Sequence, residues 1–273
     1  MDNGIHFISG LPRSGSTLLA AVLRQNPKFH AGIASPVAFL FNGLMRQMSQ
    51  ENEAAVFIDD ERRRNVLSGV FDNYYRREHP RQVVFDTNRL WSAKLAALAQ
   101  LFPKSRMICC VRQVPWIVDS LEQLVRRNPL EPSKIFAFDA TSTVYNRYDM
   151  LTGGNGLLGY AWNALREAFY GPNAGQLMLL CYETLSSDPG RALQAVYDFI
   201  GESAFVHDFT NVSLNLDTSD FDRQLGAPGL HALRPAVAFQ PRETVLPPEL
   251  FQRIAKSSFW LDPAANPRRI LVV

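Results

Sequence analysis

The chain has 273 residues, of which 47% are hydrophobic and 20% charged, and Lys+Arg 28 against Asp+Glu 26 leaves a formal charge of +2. A disordered chain would hold fewer apolar residues and a larger charge imbalance, and so small a net charge gives no electrostatic case for nucleic acid or an anionic membrane surface. A chain this long can bury a sizeable core without disulfides.

The predicted elements alternate. Ile5–Ser9 reads as a strand, broken by Gly10 and Pro12. Ser16–Asn26 follows as a helix, with Leu18/Val22 and Leu19/Leu23 four apart and Pro27 as the stop. Helical segments at about 36–50 and 60–79 precede a second strand at 83–86, and a helix is predicted over about 91–101. Arg106–Val111 is a third strand, and the next helix begins near Val114, with Ile117, Val118, Leu121, Leu124 and Val125 on one face. Residues 139–156 hold Gly153, Gly154 and Gly156 and little periodicity, which predicts a mobile loop. Leu177–Tyr182 is a fourth strand, and its helix runs from Pro189 to Ile200. After residue 208 the pattern fades into a Pro-punctuated segment, with a last short helix near 248–258.

Strands that are apolar throughout are buried on both faces, and strands that alternate with helices pair in parallel. The expected fold is therefore α/β: a P-loop-like three-layer sandwich with a central parallel sheet flanked by helices. No composition break marks a second domain, so residues 1–273 read as one. The cysteines Cys109, Cys110 and Cys181 fall in apolar runs without metal-ligand spacing and read as core residues in a reducing compartment. No basic leader and no apolar stretch of ~18 residues is present, so the expected location is the cytoplasm.

Gly10-Leu11-Pro12-Arg13-Ser14-Gly15-Ser16-Thr17 joins the first strand to its helix. Its glycine spacing is that of a phosphate-binding loop. Glycines let backbone N–H groups converge on an anion, and the helix N-terminus adds positive potential. The hydroxyls of Ser14, Ser16 and Thr17 supply further donors. A nucleotide triphosphatase places Lys directly after the second Gly. Here Ser16 stands there, and the cation has moved into the loop as Arg13, whose guanidinium can fork onto two oxygens. A second constellation is Arg112, at the end of the third strand, with Ser120 on the next helix. Together they can bracket another phosphate in the crevice where α/β sheets bind ligands.

The stretches FISGLPRSGSTLL, VRQVPWIVDS and CYETLSSDPGRALQAVYDFIG resemble the sulfotransferase superfamily. The closest branch includes tyrosylprotein sulfotransferases and many bacterial sulfotransferases. The resemblance implies transfer of a sulfuryl group from 3′-phosphoadenosine 5′-phosphosulfate (PAPS) to a hydroxyl or amine, with 3′,5′-adenosine bisphosphate (PAP) as product and no metal. It implies that Pro12, Arg13, Ser14, Gly15, Ser16 and Thr17 hold the 5′-phosphosulfate. Arg112 and Ser120 would hold the 3′-phosphate. Tyr182, in the Tyr-Glu element, and Arg234, in the loop Gly229–Pro235, would complete the donor site.

One departure is clear. Tyrosylprotein sulfotransferases carry a catalytic Glu shortly after the loop helix, and the matching stretch His30–Ser35 holds no carboxylate. Asp86, at the end of the second predicted strand, is then the candidate base, with His30 as second choice. The acceptor is left open among small-molecule alcohols or phenols, glycans, lipids and peptides. So is the oligomeric state, a homodimer included. The alternatives are a P-loop nucleotide kinase or NTPase, against which Ser16 speaks, and a non-catalytic nucleotide-binding protein of the same fold.

Overall fold

A computed structural model describes residues 4–78, 83–139, 141–214 and 217–273. In chain order the elements begin with β1 (Ile5–Gly10), α1 (Ser16–Leu23), β2 (Phe29–Ala31), α2 (Val37–Gln47) and α3 (Asp60–Tyr74). Next come β3 (Val83–Thr87), α4 (Leu95–Leu101), β4 (Met107–Val111), α5 (Val114–Arg127), α6 (Val144–Thr152) and α7 (Leu157–Tyr170). The chain closes with β5 (Leu177–Cys181), α8 (Tyr182–Ser187), α9 (Pro189–Ile200), α10 (Ser219–Gln224), α11 (Pro248–Arg253) and β6 (Leu271–Val272).

The strands form one parallel six-stranded sheet in the order β2-β3-β1-β4-β5-β6. The expected α/β sandwich is therefore the fold. Alternation along each strand divides the core in two. Ile5 and Phe7 of β1, Met107, Cys109 and Val111 of β4, and Leu177 and Leu179 of β5 pack with α2–α7 and α11 on one face. Ile8, Ile108, Cys110, Met178 and Leu180 pack with α1, α8 and α9 on the other. The three cysteines are free and buried, and burial pushes each thiol up, Cys109 and Cys181 to about 12.

The first face holds an aromatic cluster of Phe7, Phe41, Phe71, Trp91 and Phe102. The Trp91 ring lies 5.5 Å from Phe7 and 5.6 Å from both Phe41 and Phe71. This is why the chain between β1 and β3 is longer than a minimal crossover: α2 and α3 supply two of these rings. The predicted helix over 91–101 is split into a 3₁₀ segment at Arg89–Lys94 and α4.

Two expectations are corrected. The predicted mobile loop at 139–156 contains α6, whose start is fixed by a reciprocal capping box between Thr143 and Asn146. α7, β2, α10 and β6 were not predicted. In α7, Gly159 and the polar and aromatic residues of LLGYAWNALREAFY blur the stripe, yet Leu158, Ala161, Leu165 and Phe169 are buried against the core.

Candidate anion-binding cleft

β1 and β4 diverge into separate loops at the carboxyl edge of the sheet. A cleft of about 910 Å³ opens there, lined by the 10–17 loop, the ends of β3 and β4, one face of α5, Tyr182, and the segment 225–242, here called the strap.

Backbone conformation builds the loop. Gly10 has φ +106, and a Cβ there would lie 2.2 Å from the Cys110 carbonyl oxygen, so only glycine lets β1 lie this close to β4 as the chain turns. Arg13 and Gly15 are also left-handed, with φ 57 and φ 92. Alternation of ordinary and left-handed residues curls successive amides into an anion-binding concavity. The first bond of α1 runs from Leu19 N to Gly15 O at 2.9 Å, and no side chain caps the amides before it. A Cβ on Gly15 would sit 3.0 Å from the Tyr182 ring. Pro12, Arg13, Gly15, Ser16 and Thr17 line the cleft. Ser14 does not: it is buried, and its hydroxyl donates to the Pro12 carbonyl at 3.3 Å.

The guanidinium of Arg13 donates from Nε to Ser120 Oγ at 3.0 Å and from Nη1 to the Leu230 carbonyl. Burial, with the charge of Arg112 beside it, pushes its pKa down to about 10, which leaves it cationic at neutral pH. Arg112 lies flat over Tyr182, 4.4 Å from the ring centroid, and its Nη1 points to the Arg13 carbonyl at 3.5 Å. Its Nε is buried with no hydrogen-bond partner. A buried guanidinium N–H without an acceptor is costly, and an anion in the cleft would satisfy it. Thr87 Oγ1 is likewise buried without a partner and belongs to the lining. The uncapped amides, the glycine cradle and the orphaned Nε fit a bound phosphate.

The structure thus brings together Arg13, Arg112, Ser120 and Tyr182, with Arg234 on the strap opposite. It does not bring Asp86 to the cleft. Asp86 is fully buried (0% exposed). It accepts from Tyr75 Oη at 2.7 Å, Trp91 Nε1 at 2.7 Å and Ser35 Oγ at 2.8 Å. Two residues beyond Val84, it shares that residue's face of the sheet and points among the aromatic side chains. Burial raises its pKa, against the pull of these donors. His30 is also outside the lining, with its ring against Tyr75 at 5.6 Å.

Sequence reasoning missed the groups that complete the site. Buried Asp222 grips His231 twice, through the backbone N–H at 3.0 Å and through Nδ1. A carboxylate on Nδ1 fixes the tautomer that leaves Nε2 unprotonated. His231 lines the cleft and directly follows Leu230, whose carbonyl takes Arg13. Asp119, fully buried on α5, fastens the strap: it accepts from Thr244 Oγ1 at 2.9 Å and Val245 N at 2.7 Å and pairs with Arg242. The spacing of these partners gives no sequence signal, because the strap has no periodicity. Residues 225–242 hold Arg234 and Arg242 and no Asp or Glu, which is the local hint of a site.

The charge of the lining is one-sided. Among the described residues it includes Arg13, Arg89, Arg112, Arg127, Lys134, Arg234 and Arg242, and no Asp or Glu. The nearby carboxylates of Asp119, Asp222 and Glu122 all face away, into the scaffold. A chain of formal charge +2 thus has a cleft whose charged lining is of one sign, which focuses a positive potential on whatever enters. Among the described residues no group of three or more His, Cys, Asp or Glu could hold a metal ion, and no helix is long and apolar enough to cross a membrane.

A parallel sheet with a glycine-rich loop after its central strand, and a cation at the end of the neighbouring one, defines an α/β protein with a cationic cleft at the carboxyl edge of its sheet. The family model described as "Sulfotransferase family" matches residues 6–206, and the chain belongs to that family. The fold is similar to the sulfotransferase domain from the curacin biosynthetic pathway, with 16% identity, a TM-score of 0.51, and coverage of 92% of this chain and 96% of that one. The sulfotransferase domain of the Synechococcus PCC 7002 olefin synthase matches with 16% identity and a TM-score of 0.47, covering 93% of this chain and 94% of its own.

Proposed function

We propose that the protein transfers a sulfuryl group from PAPS to an acceptor hydroxyl or amine and releases PAP. The observation that carries this reading is the pair of cationic stations in one cleft. The first is the curled loop with Arg13, and the second is Arg112 with its orphaned Nε. A donor with a phosphosulfate at one end of a ribose and a phosphate at the other needs both. Family membership agrees with sulfuryl transfer. The kinase reading lacks its cation, since Ser16 stands where Lys would be.

The residues divide the work as follows. Backbone N–H groups of Arg13 to Thr17 and the hydroxyls of Ser16 and Thr17 hold the 5′-phosphate. Arg112 and Ser120 hold the 3′-phosphate, with Arg234 closing from the strap. Tyr182, beneath Arg112, provides a wall for the nucleoside. The transition state of such a transfer is loose, and charge grows on the bridging oxygen as its bond to sulfur breaks. Arg13 faces that charge in a desolvated setting and stabilises it. The acceptor oxygen bonds to sulfur, the electron pair of the broken bond leaves with PAP, and the acceptor proton passes to His231 Nε2. Asp222 steadies the imidazolium that results. Asp86, enclosed by Tyr75, Trp91 and Ser35, takes no part in the transfer and holds the core together.

Thermal unfolding in a chelating buffer tests the donor assignment. PAP should stabilise the protein by about 2.7 kcal/mol at a hundredfold excess over its dissociation constant, and ADP by much less. Equal stabilisation by ADP, or none by PAP, would overturn it.

A further inference from the structure

The sheet order divides the cleft. The loop after β1, Arg112 after β4 and Tyr182 after β5 lie to one side of β1, and they are the groups assigned to the donor. The end of β3, with Thr87, Asn88 and Arg89, lies on the other side of β1. The lining is not polar alone: Leu121, Leu124, Ile135, Leu157, Leu225 and Leu230 supply apolar walls.

Three cations stand among those walls with no carboxylate in the lining: Arg89, Arg127 and Lys134. Arg127 shares the helix face of Ser120 and Leu124 and lies about two turns beyond Ser120, roughly 10 Å along the α5 axis. Its neighbour Arg126 pairs with Glu122 at 3.2 Å, and Glu122 also takes Arg147 at 2.7 Å. Among the described residues Arg127 donates to the Gln123 side-chain carbonyl alone, at 3.4 Å. Lys134 follows Ser133, whose hydroxyl and the Lys134 backbone N–H both hold the Leu225 carbonyl, at 3.2 and 3.1 Å. This pins the lysine's backbone to the strap and leaves its ammonium in the lining. The donor's charges are already matched by the loop, Arg13, Arg112 and Arg234, so these three cations are surplus to it. Like charges crowded into one cleft repel each other, and a ligand anion relieves that repulsion.

Resting on the sulfotransferase reading above, we infer that the acceptor is an amphipathic anion: an alcohol on an apolar body that ends in a carboxylate or phosphate, with the anionic end held by Arg127 and Lys134. The span from Ser120 to Arg127 sets the separation between the reacting hydroxyl, near Arg13, and the anionic group. Arg89 lines the same cleft.

Matched probe pairs test this with PAPS as donor. One pair is ω-hydroxyoctanoate and its methyl ester, and the other is ω-hydroxyoctyl phosphate and octanediol. The expected result is a kcat/KM at least tenfold higher for one or both anionic members than for their neutral partners. The double variant Arg127→Gln/Lys134→Gln should bring that ratio close to one while PAP still stabilises it. Preference for the carboxylate pair alone or the phosphate pair alone identifies the anionic group. Neutral members equal to or better than the anions, no transfer to any anion, or an unchanged ratio in the variant would each overturn the inference if PAP stabilises the wild type. Failure of PAP to stabilise the wild type overturns the donor assignment instead, and this inference with it.

Discussion

Arg13 Nε donates to Ser120 Oγ at 3.0 Å across 107 residues of sequence. The bond ties the loop after β1 to the helix after β4, so the two halves of the proposed donor site share one polar contact. The same guanidinium also reaches the strap through the Leu230 carbonyl. Three chain segments therefore meet at one cation. Removing Arg13 should separate chemistry from binding. Arg13→Ala is expected to lower kcat by about 10²–10³, while PAP, held mainly by backbone amides and Arg112, still raises Tm. Near-normal turnover in that variant would remove Arg13 from the transition state.

Arg112 should report the 3′-phosphate. Its Nε is orphaned, so Arg112→Gln removes a charge-assisted bond worth roughly 1.5–3 kcal/mol. Calorimetric titration should show PAP affinity falling tenfold or more and AMP affinity unchanged, because AMP has no 3′-phosphate. An equal loss for both ligands would place Arg112 elsewhere in the site.

His231 should accept the proton released in the transfer. Asp222 holds its Nδ1 and leaves Nε2 to the acceptor, so His231→Gln is expected to lower kcat by about 10²–10⁴ while PAP still raises Tm. Asp222→Asn should lower activity in the same sense, because it releases the grip on Nδ1. Near-normal kcat in His231→Gln would assign the proton to another group.

Asp86 should prove structural. Asp86→Ala leaves the Tyr75, Trp91 and Ser35 donors without their common acceptor, and each unsatisfied buried donor costs about 1–3 kcal/mol. Denaturant unfolding should show a large loss of stability. Asp86→Asn should lose less and retain most of its kcat at low temperature. A stable Asp86→Asn protein with turnover lowered by orders of magnitude would return this carboxylate to the chemistry.

His6 should make stability depend on pH. It is buried in β1, and its Nδ1 accepts the Arg106 N–H at 3.0 Å. Burial, with a contribution from the Arg106 charge, pushes its pKa down to about 4. The unfolded chain binds a proton near pH 6.5, so between about 6.5 and 4 it holds more protons than the native state, and stability falls as pH falls through that window. The full contribution of about 3 kcal/mol is present above pH 6.5 and lost near pH 4. The urea midpoint of His6→Asn should depend less steeply on pH over this interval; an unchanged slope would assign the effect to other groups.

Much of this was legible in the sequence, and the exceptions have physical causes. β1, β3, β4 and β5 were readable because each is a short, mostly apolar run, as a strand covered on both faces tends to be. The 10–17 loop was readable because glycine spacing and strand–helix context coincide, and Arg112 because it ends a strand. Asp86 also lies at a strand end, yet alternation turns it toward the Val84 side and the aromatic core; Thr87, Asn88 and Arg89 beyond it reach the lining. Ser14 lies within the loop motif but is buried, with its hydroxyl donating to the Pro12 carbonyl, a contact that the motif spacing does not reveal. The Asp222–His231 and Asp119–Arg242 pairs were invisible because they depend on how an aperiodic strap lies across α5, which no local pattern encodes. The cations Arg127 and Lys134 look like ordinary surface residues until the strap closes one side of the cleft around them.

A crystal structure of the protein soaked with PAP tests the central claim most directly. The 5′-phosphate should rest on the amides of Arg13 to Thr17, and the 3′-phosphate should lie within hydrogen-bond distance of Arg112 Nε and Ser120 Oγ. A 3′-phosphate bound away from Arg112, or a 10–17 loop that leaves the 5′-phosphate in solvent, would contradict the account.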